Sequence, residues 1–245
     1  MHTFLKGEIF VRFLHFNPYQ SSDAVKPVAL ARYLESFFSC IGGLLLVNLL
    51  FLVCCIPIIT IGPSVVALHK VCCCAVRNRA HDLPVIFLNS FRQNLKTGIC
   101  LTFTVFPLLL WLLSNTLAAV KSQNLPVMIL LFSATLLTVS FSSYLFVLVA
   151  HTSLSPMKLL RNSFILMLAG KQYSIVGSFL STALFSLQIL YLPQSIPILL
   201  LIGCSLVAYN TSFFTWKIVD LYLFIPYYRA HPEEGIAEGY ENDHL

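Results

Sequence analysis

The chain has 245 residues, of which 58% are apolar and only 10% charged, with a formal charge of +5. A soluble globular domain carries about 25% charged residues, so these proportions exclude one. The small basic excess falls between apolar stretches, where it reads as membrane topology rather than a nucleic-acid surface.

Apolar stretches of about 20 residues mark membrane spans. The spacing predicts an all-α, polytopic membrane protein with five transmembrane helices and amphipathic interfacial helices. Little is left for a separate soluble catalytic domain. Residues 1–36 carry Glu8, Asp23 and Glu35 and have no continuous apolar core, so no cleavable signal peptide is expected. Phe4, Phe10, Phe13, Leu14 and Phe16 alternate with Lys6, Glu8 and Arg12, as in a segment lying on the membrane surface.

Residues 37–80 form the next unit. A first span runs over 37–57, with Gly42 and Gly43 admitting a close neighbour. Pro57 stops it, because proline removes a backbone donor and clashes with the preceding turn. A corner follows over 60–63. A new helix starts at Pro63, the first helical position, where a missing donor costs nothing. That helix sets Val65, Leu68, Cys72 and Val76 on one face and His69, Lys70, Cys73 and Arg77 on the other, the pattern of an interfacial helix. Arg77 and Arg79 then face water. The Cys72–Cys74 triplet does not make a metal site, since adjacent helical side chains point in different directions. The eight cysteines show no disulfide spacing and read as reduced structural thiols.

Residues 84–96 form an amphipathic helix, with Phe87, Leu88, Phe91 and Leu95 opposite Asn89, Arg92, Gln93 and Lys96. Spans follow at 97–118 and 125–150. Ser155 and Pro156 open a second amphipathic helix, and spans at 173–192 and 196–214 come after it. At a shift of 73 residues, Phe87, Asn89, Ser90, Phe91 and Leu95 meet Leu160, Asn162, Ser163, Phe164 and Leu168. Units 84–150 and 156–217 therefore read as a parallel two-fold internal repeat. Residues 218–245 are a helix extension anchored by Tyr222, Tyr227 and Tyr228, followed by an acidic tail.

The apolar run 46–67 places Asn48, Pro57, Thr60, Ile61, Gly62, Pro63 and Ala67 in a spacing that resembles the YesL family of bacterial membrane proteins. Phe51 stands where that family usually has tryptophan. Phe87, Phe91 and Asn94 are similar to the family's downstream F…F…N segment, and the likeness covers roughly residues 37–100. The resemblance implies a setting rather than an activity: carbohydrate uptake and polysaccharide degradation.

Phosphate loops, metal-binding His pairs, nucleophile elbows and paired carboxylates do not occur in the sequence, and no acidic residue falls within a predicted span. A non-catalytic protein without cofactor or metal is expected. Asn48, Thr60, Asn115, Gln188 and Asn210 are the neutral polar groups left to bind a ligand or bond between helices. The leading expectation is an accessory or regulatory partner of a carbohydrate-uptake system, in contact with lipid and a transporter or cytoplasmic protein. Its candidate surface is Arg77, Arg79, Phe87, Phe91, Arg92 and Asn94. The alternative is a small transporter or channel whose site is the broken helix at Pro57–Pro63. Ten of the fifteen Lys and Arg lie on one side of the five-span topology. The positive-inside rule then puts the C-terminus in the cytoplasm and the N-terminus outside the cell membrane.

Overall fold

A computed structural model describes residues 30–77, 82–152 and 154–230, and every regular element in them is helical. The expected surface segment before residue 30, Arg79 and the acidic tail lie outside the described residues. The helices are α1 (Leu30–Cys55), α2 (Ile61–Val76), α3 (Leu83–Gln93), α4 (Leu95–Lys121), α5 (Leu125–His151), α6 (Pro156–Ala169) and α7 (Lys171–Leu190). A continuous helical run then carries the chain from 196 to 230. It comprises α8 (Ile196–Ile198), a π-helical turn (Leu199–Gly203), α9 (Cys204–Val219), a second π-helical turn (Asp220–Phe224) and α10 (Ile225–Ala230).

Among the described residues, six segments are long and apolar enough to cross a membrane, one more than the five expected. The additional one is Ile58–Val76, which contains α2. The chain is thus built as a multi-pass membrane protein. Large apolar side chains such as Phe38, Leu110 and Leu190 stay exposed, as a lipid-facing surface requires.

The helix expected at the interface is instead the centre of the bundle. His69 and Cys73, assigned by periodicity to a polar outer face, are both buried. Ala67, Leu68, Val71, Cys72 and Ala75 pack with Leu44, Val47 and Phe51 of α1, Phe87 of α3 and Tyr209 of α9. Val66 and Cys73 join a second cluster with Leu101 and Val105 of α4, the end of α5, and Trp216 and Ile218 of α9. Cys72 and Cys73 therefore enter different cores, the divergence expected of neighbouring helical residues. A helix apolar on both faces is a buried helix, and the few polar groups on α2 are absorbed by partners.

α1 and α2 form an antiparallel hairpin. The Ser36 hydroxyl donates to the Ala75 carbonyl at 3.0 Å, placing the start of α1 beside the end of α2. At the other end, Thr60 Oγ1 donates to the carbonyls of Cys54 (2.6 Å) and Pro57 (2.7 Å), and the Thr60 amide also donates to Pro57 O at 3.0 Å, so one residue ties off the end of the broken helix. Of the two glycines on α1, only Gly43 meets a neighbour closely, Leu83 of α3; Gly42 faces open space.

The order of surface helix, long helix, long helix occurs twice, in α3–α5 and again from α6 onward. Burial does not follow the 73-residue shift. Phe87 is fully buried while Leu160 is exposed, and Asn89 is exposed while Asn162 is buried. Ser90 and Ser163 alone of these pairs are both buried.

Candidate functional site

The corner between α1 and α2 is a single 3-10 turn, Ile58–Thr60, and the helix restarts at Ile61, two residues before Pro63. Pro63 still lies in the first turn, where its missing donor has no helical acceptor to lose. Gly62 has no left-handed backbone angle. Its requirement is space: a Cβ there would sit 2.0 Å from the Gly98 carbonyl oxygen and 2.5 Å from Thr102 Oγ1. A Cβ on Gly98 would in turn lie 2.5 Å from Pro63 N, so α2 and α4 cross backbone to backbone. Thr102 fastens this crossing. Its oxygen accepts from Gly62 N–H at 2.9 Å, and its hydroxyl lies 3.2 Å from the carbonyls of Ile59 and Gly98.

Thr102→Val keeps the shape of that side chain and removes the acceptor. It should cost about 1 kcal/mol, seen as a fall of a few degrees in the detergent melting temperature, whereas Thr102→Ser should melt like wild type.

Residues 44–116 match the family model described as "Protein of unknown function, DUF624". That segment runs from the middle of α1 through the corner, α2 and α3 to the last turns of α4. Every residue of the expected corner motif falls within it. No curated protein and no solved structure matches the chain.

Within the DUF624 segment, Asn48 is fully buried and reaches across to the last helical run. Its Nδ2 donates to the carbonyls of Leu199 (3.1 Å) and Leu200 (2.7 Å), and its Oδ1 accepts from Ser205 N–H at 2.9 Å. These groups border the π-helical turn Leu199–Gly203, where the regular hydrogen-bond ladder changes step. On the other side, Gln188 Nε2 of α7 donates to Gly203 O at 3.4 Å. Asn48 and Gln188, two residues singled out separately, thus meet on one element. Ala67 lies fully buried on α2 near the same interface.

A second polar seam joins α5, α7 and α9. The Ser140 and Ser178 hydroxyls are bonded to each other, Tyr144 bonds Ser174 at 2.8 Å, and Asn210 Nδ2 donates to Ser181 Oγ at 2.6 Å. A small cavity beside them is lined by Ser140, Tyr144, Ser174, Ser178 and Thr211. His69 connects α2 to this seam: Nδ1–H donates to Val65 O at 2.9 Å, leaving Nε2 to accept from Thr211 at 3.3 Å. The serine spacing of four along α7, Ser174 and Ser178, was the available sequence signal for this seam. The remaining polar candidate, Asn115, is half-buried and donates to Trp111 O on its own helix, so it joins neither seam.

The expected partner surface is dispersed. Phe87 is buried and anchors α3; Phe91 is partly buried with its ring 6.4 Å from that of Phe87. Asn94 donates to Ser90 O at 3.0 Å and closes the end of α3. Arg77 lies 5.1 Å over the Trp216 ring. Arg92 is exposed, together with Val85, Leu88 and Asn89.

Proposed function

We propose that the protein is a non-catalytic membrane component that serves as an accessory or regulatory partner of a carbohydrate-uptake system in the bacterial cell membrane. The observation that carries this reading is α3. Leu83 and Phe87 fix one face of that short helix to the bundle, while Val85, Leu88 and Arg92 stay exposed on the rest. A mixed apolar and basic helix face of this kind suits a groove or helix on another protein. The likeness to the YesL family supports the carbohydrate setting. Affinity purification in mild detergent, from cells growing on a polysaccharide, tests the reading. A stoichiometric sugar-uptake component should co-purify, and Leu88→Glu with Arg92→Glu should release it without lowering the melting temperature. Co-purification that survives both charge changes would contradict it.

Two buried amide oxygens, Gln188 Oε1 and Asn210 Oδ1, have no hydrogen-bond donor among the described residues, and both belong to the polar seams. Buried polar groups normally find partners, so exceptions ask for a reason. They favour a second reading, a small transporter for a neutral hydroxylated solute, with substrate bonded by Asn and Ser side chains rather than by charge. Flux of a labelled sugar into liposomes holding this protein alone would establish it.

A further inference from the structure

The α1–α2 hairpin changes which side of the membrane the chain starts on. Ser36 bonds Ala75, and the Tyr33 ring is 5.0 Å from that of Phe213, so the start of α1, the end of α2 and the second half of α9 meet. Other contacts join the same end. Arg77 covers Trp216, the His151 ring at the end of α5 lies 4.9 Å from Trp216, and Lys70 Nζ donates to Ala150 O at 2.8 Å. Lys217 lies 5.0 Å over the ring of Tyr173, at the start of α7. The connections at 122–124 and 191–195 are left for the opposite end, and the turn at 56–60 is the tip of the hairpin.

Charge follows the same division. Of the fifteen Lys and Arg, Lys121 alone borders one of those three connections. In sequence order, the other fourteen all fall in stretches that flank or join the helix ends meeting around Trp216. Sending the N-terminal flank to the other side, as five spans require, would leave only ten together. Lys and Arg are retained on the cytoplasmic side of short connections, whereas acidic residues count little. The corner meets α4 at Gly98 and Thr102, within its first two turns. A hairpin returns to its side of entry at any depth, so the assignment does not depend on how far it penetrates.

We infer that the chain enters and leaves the membrane on one side, and that this basic, aromatic-rimmed end of the bundle is its cytoplasmic surface. It is the surface that presents the N-terminal flank and the starts of α3 and α6 to soluble partners. Cysteine accessibility in intact cells tests it, with Ser22→Cys, Ser122→Cys and Ser155→Cys placed singly in a background without native cysteines. An impermeant maleimide should label position 122 and leave 22 and 155 protected until the membrane is opened. Labelling at 22 in intact cells overturns the inference in favour of an external N-terminal flank, and labelling at 155 overturns the cytoplasmic assignment. Where the cysteine-free background does not fold, reporters on the otherwise unchanged chain give the same decision. Green fluorescent protein fused to the N-terminal flank should fluoresce and alkaline phosphatase at the same place should be inactive; an active phosphatase there overturns the inference.

Discussion

Gly62→Val should leave no stably folded protein in detergent, and Gly62→Ala should behave almost as badly. The added Cβ would lie 2.0 Å from Gly98 O and 2.9 Å from Gly98 C, well inside any tolerated contact. Both obstacles are backbone, so no side-chain rotation relieves them. α2 must move off α4, which breaks the bond from Gly62 N–H to Thr102 and the contact of Thr102 with Ile59. Overpacking with side-chain relief costs about 1–3 kcal/mol, and a backbone collision exceeds that range. Against a total stability of about 5–15 kcal/mol, a loss of more than about 4 kcal/mol is a large fraction. Gly42→Ala is the control, because a Cβ there meets nothing within 4 Å. Size-exclusion chromatography after heating compares the three variants. A Gly62→Ala protein that melts like wild type would show that the two helices do not cross at this point.

Asn48→Leu is the second large effect. The side chain is fully buried and joins α1 to the groups around the π-helical turn through three hydrogen bonds. Leucine matches its size and supplies none of them. The Leu199 and Leu200 carbonyls and the Ser205 amide lose a partner in an apolar setting, where water does not replace it. Stranded buried groups cost about 1–3 kcal/mol each, and part of that is recovered by relaxation, giving about 3 kcal/mol in all. For a chain of this size that corresponds to a fall of about 6–12 °C in melting temperature. Asn48→Asp should be at least as damaging, since it removes both amide donors and buries a charge. A melting temperature unchanged in Asn48→Leu would mean that α1 does not clamp the last helix.

The long helices were legible in the sequence because their lengths and hydropathy are local properties. Pro57 and Pro63 likewise announced the corner. What could not be read was burial on α2, where His69, Lys70 and Arg77 give the appearance of a wet face. Their partners, Thr211, Ala150 and Trp216, lie 80 or more residues away along the chain, so no periodicity window contains them. Gly62 was legible as a member of the corner motif, but the obstacle that excludes any side chain there belongs to α4. Asn48 and Gln188 stood out as polar residues in apolar runs, while the π-helical turn that unites them leaves no mark in composition.

α2 is a buried helix folded back along α1. Cys40 Sγ lies 4.0 Å from the Ala75 carbonyl, so a single Ala75→Cys substitution places a new thiol beside a native one. Oxidation of native membranes with copper phenanthroline, followed by mass-spectrometric mapping, measures the pairing directly. The hairpin predicts a disulfide between Cys40 and the Ala75→Cys thiol, together with protection of that thiol from a bulky maleimide before oxidation. An unlinked thiol at position 75 that reacts freely with the maleimide would place α2 on the membrane surface and contradict the account.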